Sequence, residues 1–176
     1  MDHTLGVAVV TGAAGAIGTA LTATLTDAGY DVVGLDLPAA CPPERLASGA
    51  MVGCDITDDA EVRAVFERIV ADHGRIDLLV NNAAIFHPFL VEDATVHQVE
   101  QHVAVNLMGP IWCIRAAIPH LRKSQGQIVT MDGGAKQSTN ADFGEGGRGT
   151  KAAQTDTGGV AEGRTSLNLI RGPGLD

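Results

Sequence analysis

Apolar residues follow two rhythms along this chain. Leu5 to Val10, Asp31 to Asp36 with its centre Val32, Val33 and Leu35, Met51 to Cys54, Ile76 to Val80, and Ile128 to Met131 are short, nearly continuous apolar runs. Runs of that length, bounded by turn residues, read as strands buried on both faces. Between them the spacing becomes helical. Ile17, Leu21, Leu25 and Ala28 mark one stripe, with Gly29 placed as a C-terminal cap. Asp58-Asp59-Ala60-Glu61 has the form of a capping box, and Val62, Val65, Phe66, Ile69 and Val70 follow it as a stripe that ends at Gly74. Thr95-x-x-Gln98 offers a further helix start. Val103, Leu107, Ile111, Ile114, Ile118 and Leu121 continue that helix through Pro110, where a kink is expected.

Strands alternating with helices at these lengths predict βαβ units, and hence a parallel sheet with helices on both faces. After Met131 the pattern ends. Residues 132–176 hold half of the chain's 22 glycines, and between Asp132 and Arg164 the only large apolar side chains are Phe143 and Val160. Such a segment has little surface to bury against the entropy of ordering its backbone, so a poorly ordered tail is expected.

Composition narrows the function classes. The 176 residues suit one domain with a single core. A formal charge of -9 with no local run of lysine or arginine disfavours nucleic acid and anionic membranes as partners. Cys41, Cys54 and Cys113 are widely spaced and read as reduced, buried thiols, so no metal site is expected. The N-terminal sequence has neither a positive region nor a long apolar run, which predicts a protein that stays in the cytoplasm.

The chemistry begins at Thr11-Gly12-Ala13-Ala14-Gly15-Ala16-Ile17-Gly18, between the first strand and the first helix. Glycines there let the backbone turn tightly and approach a pyrophosphate, which sits against the free N–H groups and positive dipole end of the helix. A plain strand-to-helix turn would need no more than this. Here Asp36 ends the second strand 18 residues past Gly18, near the offset at which an acid meets the adenosine ribose. Its carboxylate would accept hydrogen bonds from the ribose hydroxyls and repel a 2′-phosphate, which favours NAD over NADP.

With these residues in view, the chain over about 5–131 resembles the short-chain dehydrogenases/reductases. Ala16 stands where many members have glycine, and the spacing Gly12-x-x-Gly15-x-x-Gly18 also fits an epimerase-like branch. Asn81-Asn82-Ala83-Ala84, after Ile76 to Val80, resembles the Asn-Asn-Ala-Gly motif of the dehydrogenase branch. The resemblance implies a Rossmann-type doubly wound sheet of about five strands in the order 3-2-1-4-5. It divides the chain into an NAD-binding domain, 1–131, and a glycine-rich tail, 132–176. It further implies that Asp55 and Ile56 border the adenine and that Asn81, Asn82 and Ala83 line the adenosine side of the cofactor. Asn106 resembles the helix asparagine that holds a water in the family's proton relay, and the reaction implied is oxidoreduction of a small alcohol or carbonyl.

The chain then departs from the family. Ile128-Val129-Thr130-Met131 runs into Asp132-Gly133, where members carry the catalytic serine. Gly149-Thr150-Lys151-Ala152-Ala153 resembles the end of the Tyr-x-x-x-Lys helix, yet the tyrosine position is Gly147. Tyr30, the one tyrosine in the sequence, begins the second strand. Asn106 and Lys151 are thus expected to be remnants of the catalytic set. Leu167 to Gly174 faintly resembles the family's sixth strand and its Pro-Gly turn, and the family's substrate-covering segments do not follow. A frameshifted, truncated or otherwise altered C-terminal part would account for this.

The reading favoured is an NAD-binding protein with little or no hydride transfer. An active enzyme using Ser138, Lys136 or Lys151 as a substitute proton donor, and a non-catalytic interaction protein on the same scaffold, stay open. The family commonly pairs its long fifth helix with the helix bearing the catalytic pair, so the resemblance admits a homo-oligomer, although Gly158-Gly159 interrupts the second of these here.

Overall fold

A computed structural model describes residues 5–87 and 89–131, together with the backbone of a strand at 167–170. Gly133, Lys136, Ser138, Gly147, Lys151 and Gly158-Gly159 lie outside the described residues.

Strand β1 (Gly6–Thr11) is followed by α1 (Ala16–Asp27), β2 (Tyr30–Asp36), a 3-10 turn at Pro38–Ala40, the short α2 (Pro43–Ala47) and β3 (Met51–Gly53). Then come α3 (Asp59–His73), β4 (Leu78–Asn81), α4 (Val96–Val103), α5 (Gly109–Ser124) and β5 (Gln127–Met131). The first five strands pair in parallel in the expected order 3-2-1-4-5. A sixth strand, β6 (Leu167–Ile170), pairs antiparallel to β5, with Val129 opposite Leu169. It lies within the stretch expected to be an irregular tail. Its short apolar run offers backbone partners to an otherwise open sheet edge.

The continuous apolar runs are explained by a core on each side of the sheet. Val7 and Val9 of β1 join Val62, Phe66 and Ile69 of α3 and Cys113, Ala117 and Leu121 of α5 in one cluster. Ala8 and Val10, one residue out of phase, pack on the other face with Leu21 and Leu25 of α1 and with Met51 and Val80. Successive strand side chains point to opposite faces, so a strand covered on both sides must be apolar throughout.

Two helix expectations need correction. The stripe of α1 is shifted: Ile17 is 62% exposed and Ala28 is exposed, while Gly18 and Thr22 are buried beside Leu21 and Leu25. Gly18 is inward because α1 starts against the glycine turn, where a Cβ at this position would meet the backbone of Gly12 and Ala13. The helix expected to run unbroken from Thr95 is divided by a π-helical segment at Ala104–Met108. Pro110 lies in the first turn of α5. Having no N–H to donate, it fits where a helical hydrogen-bond ladder restarts.

The caps are mostly as the sequence signals them. Asp58 accepts from the N–H groups of Ala60 and Glu61, at 2.8 and 3.1 Å, and α3 ends on Gly74 at φ 80°. The reciprocal half of that expected capping box is replaced, since the Asp58 N–H donates to the Asp55 carbonyl. The complete box is at Thr95 and Gln98.

Candidate dinucleotide cleft

At the C-terminal ends of β1 to β4 the sheet opens into a cleft of ≈ 950 Å³, at the upper end for a small-molecule site. Its floor and near wall are the glycine turn. Gly12 has φ 67°, and a Cβ there would stand 2.8 Å from the Ala83 Cα. At Gly18 a Cβ would come within 2.0 Å of the Gly12 carbonyl oxygen. Only glycine permits this approach of helix to turn. Gly15, by contrast, has only the Gly12 carbonyl oxygen near its missing Cβ, at 3.4 Å.

Gly15 caps α1 without a side chain, and the first helical bond is donated by Thr19. The N–H groups of Ala16, Ile17 and Gly18 therefore have no acceptor among the described residues, the arrangement that an anion at a helix N-terminus satisfies. These three residues line the cleft, which also explains why Ile17 is not in the core.

Asp36 and Asn82 bolt the turn in place. One oxygen of the Asp36 carboxylate accepts from the Ala14 N–H at 2.8 Å and the other from the Leu37 N–H at 2.8 Å. Each oxygen keeps a lone pair for a further donor. The Thr11 hydroxyl accepts from the N–H groups of Asn82 and Ala83, both at 3.0 Å, while the Asn82 amide donates to the carbonyls of Thr11 and Gly12 at 3.0 and 3.2 Å. The glycine turn and the Asn-Asn-Ala-Ala segment are thus one unit.

Asp55 and Ile56 line the same cleft. The Asp55 carboxylate is engaged by the Thr57 N–H at 2.9 Å and the Thr57 hydroxyl at 2.8 Å. Gly109 at the start of α5 lets that helix close on Ile56, since a Cβ there would lie 2.6 Å from the Ile56 Cδ1. Cys54, also on the wall, is 1% exposed, and burial pushes its thiol up to about 12, with Cys113 and nearby carboxylates adding to the shift. A thiol so hard to ionise is no nucleophile at neutral pH.

Of the residues singled out from sequence, Gly12, Gly15, Ala16, Ile17, Gly18, Asp36, Asp55, Ile56, Asn82 and Ala83 line this cleft together. Asn81 does not. Its side chain is buried at 3% exposure, and neither its amide N nor its O has a partner among the described residues. Asn106 lies off the cleft wall. Its amide oxygen accepts from the Ile85 N–H at 2.8 Å and its amide nitrogen donates to the Ile85 carbonyl at 2.9 Å. Both ends of its side-chain amide thus meet the backbone of the segment after β4.

The sequence reading missed the far wall, formed by Ile85, His87, Gln101, Ala104 and Val105. No periodicity marks the stretch from Ile85 to Ala94, whose described residues form no strand or α-helix. Among the described residues no cluster of three metal-ligating side chains occurs, and no helix is long and apolar enough to cross a membrane. All three cysteines are free and buried.

With this geometry in place, comparison with known proteins is informative. The family model described as "short chain dehydrogenase" matches residues 6–144. The L-fucose dehydrogenase of Oryctolagus cuniculus is 33% identical over 129 residues, covering 71% of this chain and 45% of that protein. The D-threitol dehydrogenase of Mycolicibacterium smegmatis is 34% identical over 134 residues, covering 71% and 51%. Among solved structures, the ligand-free aldohexose dehydrogenase of Thermoplasma acidophilum superposes with a TM-score of 0.66 at 29% identity, covering 72% of this chain and 49% of that one. The chain spans about half the length of these relatives.

Proposed function

The chain belongs to the short-chain dehydrogenase family of NAD(P)-dependent oxidoreductases, and from that premise we propose that it binds NAD in preference to NADP while carrying out little or no hydride transfer itself. The observation that carries the first half is Asp36. Its carboxylate stands at the cleft wall, pinned to the Ala14 N–H of the glycine turn at 2.8 Å. A ribose 2′-hydroxyl can donate to it, whereas a 2′-phosphate brings negative charge against negative charge. The N–H groups of Ala16 to Gly18 would take the pyrophosphate, and the wall from Cys54 to Thr57 would border the adenine. When bound, the nicotinamide supplies the hydride acceptor for a small alcohol or the donor for a carbonyl.

The second half rests on the sequence. Oxidising a carbinol requires a group to take its hydroxyl proton, and such general base help is typically worth about 10²–10⁴-fold. Glycine at 133 and 147 has no side-chain atom for that role. Tyr30 is at the opposite end of β2 from Asp36, about 20 Å away at strand rise. The proposal is tested by titrating NAD calorimetrically and then following NADH absorbance over a panel of secondary alcohols. Saturable NAD binding without turnover is expected. Turnover would overturn the inactive half, and failure of NAD to bind would overturn both.

A further inference from the structure

The far wall of the cleft is held by an unusual strut. His102, in the last turn of α4, takes the His87 backbone N–H on its Nε2 at 3.3 Å, and its Nδ1 lies 2.8 Å from the Gln98 carbonyl oxygen. These two partners fix the tautomer. A carbonyl can only accept, so Nδ1 carries the hydrogen; a backbone N–H can only donate, so Nε2 is bare. The ring is therefore neutral in this arrangement. A second proton on Nε2 would point a donor at a donor, and the bond to His87 would be lost.

We propose that His102 is a positioning residue for the dinucleotide cleft: its neutral ring pins the segment carrying His87 against α4, and protonation releases that segment and weakens occupancy of the cleft. The inference rests on the cleft being the NAD site. His87 lines it, as does Gln101 beside His102 in the chain. The same segment is held two residues earlier by Asn106 at Ile85, and two residues later the ring of Phe89 meets His102 edge-on at 5.2 Å. Between those points His102 supplies the one side-chain bond to the backbone of His87 among the described residues.

Among the described residues no carboxylate lies within ion-pair distance of the His102 ring. The titratable group facing His102 from the loop is the His87 ring, 5.7 Å away centroid to centroid, which would repel it once both were protonated. On its own helix Gln98 and Gln101 are neutral, and the carboxylates of Glu92, Asp93 and Glu100 form no ion pair with it. The end of α4 favours a cation in general, but the chain continues as helix into the π segment, so its carbonyls are not free. Protonation thus loses a hydrogen bond and gains no partner.

A ring protonated on both nitrogens cannot accept from the His87 N–H, so NAD affinity should weaken on acidification through loss of that one bond. The test is the NAD Kd by calorimetry from pH 8 to pH 5.5 for the unmodified chain, His102→Gln and His87→Gln. In His102→Gln the introduced amide oxygen can accept from the His87 N–H and does not titrate. A weaker affinity at pH 5.5 than at pH 8 is expected in the unmodified chain and in His87→Gln, with a flattened profile in His102→Gln. Equal slopes in all three would overturn the proposal by assigning the loss to groups other than His102. A second readout needs no ligand: the His87 amide should exchange its hydrogen faster relative to its intrinsic rate at pH 5.5 than at pH 8, and this difference should vanish in His102→Gln. An unchanged His87 amide would refute the strut even if NAD failed to bind, while a changed amide without NAD binding would leave the strut standing and reject the cofactor reading.

Discussion

The wall from the glycine turn to Asp36 and the wall from Ile85 to Val105 enclose the same cleft, yet they are built by different means. On the first, strands and a helix set the backbone, and glycines 12 and 18 let it pack within contact distances that no Cβ would survive. On the second, the irregular residues 85–87 are held to α4 and the π segment by side chains of those elements: Asn106 to Ile85 and His102 to His87. A wall built on core-packed strands resists local opening, whereas a segment hung from a few exposed polar side chains can be released one bond at a time. The ligand's charged middle should meet the stiff wall.

The largest expected effect probes the dry core beneath the stiff wall. Burial raises the thiols of Cys54 and Cys113 to about 12 from an ordinary value near 9. The unfolded chain therefore releases these protons first, and the stability they contribute is complete below about pH 9 and lost as pH rises toward 12. Urea unfolding at pH 8, 9.5 and 11 should show a fall on the order of several kcal/mol, reduced when Cys54 is replaced by alanine. A pH-independent difference between the two proteins would mean that Cys54 does not contribute to the fall.

Next in size is Gly18→Ala, which must push α1 away from the turn and should cost about 1–3 kcal/mol, with loss of NAD binding. Asn106→Leu, on the hung wall, should cost about 1–2 kcal/mol through loss of two exposed hydrogen bonds to Ile85. Its mark is local: amide exchange should quicken at Ile85 and His87 and stay unchanged from Val7 to Asp36. Spread of the effect into the glycine turn would erase the distinction between the walls. Smallest is Thr95→Ala, which removes the N-cap of α4 for about 1 kcal/mol. It should loosen the hung wall alone, read from the same exchange profile.

This contrast also explains what could be read from the sequence. The stiff wall is written locally, because a glycine-rich turn between an apolar run and a helix has few alternative structures, and Asp36 follows at a spacing set by one helix and one strand. The five parallel strands were legible for the same reason. The hung wall is written non-locally. Nothing in Ile85-Phe86-His87 announces that its backbone groups will be met by side chains 15 and 21 residues further on. The orientation of Asn106 was hidden likewise: the motif marks an asparagine, but only the fold shows its amide turned to Ile85. The π segment escaped notice because Val103, Leu107 and Ile111 keep helical spacing across it, and they remain on an exposed face. The shifted stripe of α1 had a different cause, since small residues were selected for proximity to the turn rather than for apolar bulk.

The central claim is that Asp36 makes this cleft an NAD site. It is tested most directly by the thermal stability of the unmodified chain and of Asp36→Ala with NAD and with NADP. A ligand that binds only the folded chain stabilises it by about 2.7 kcal/mol at a hundredfold excess over Kd. NAD should raise the Tm of the unmodified chain more than NADP at equal concentration. In Asp36→Ala the baseline Tm should drop, because the Ala14 N–H loses its acceptor, and the gap between the two ligands should narrow. Equal shifts with both ligands in the unmodified chain would contradict the account.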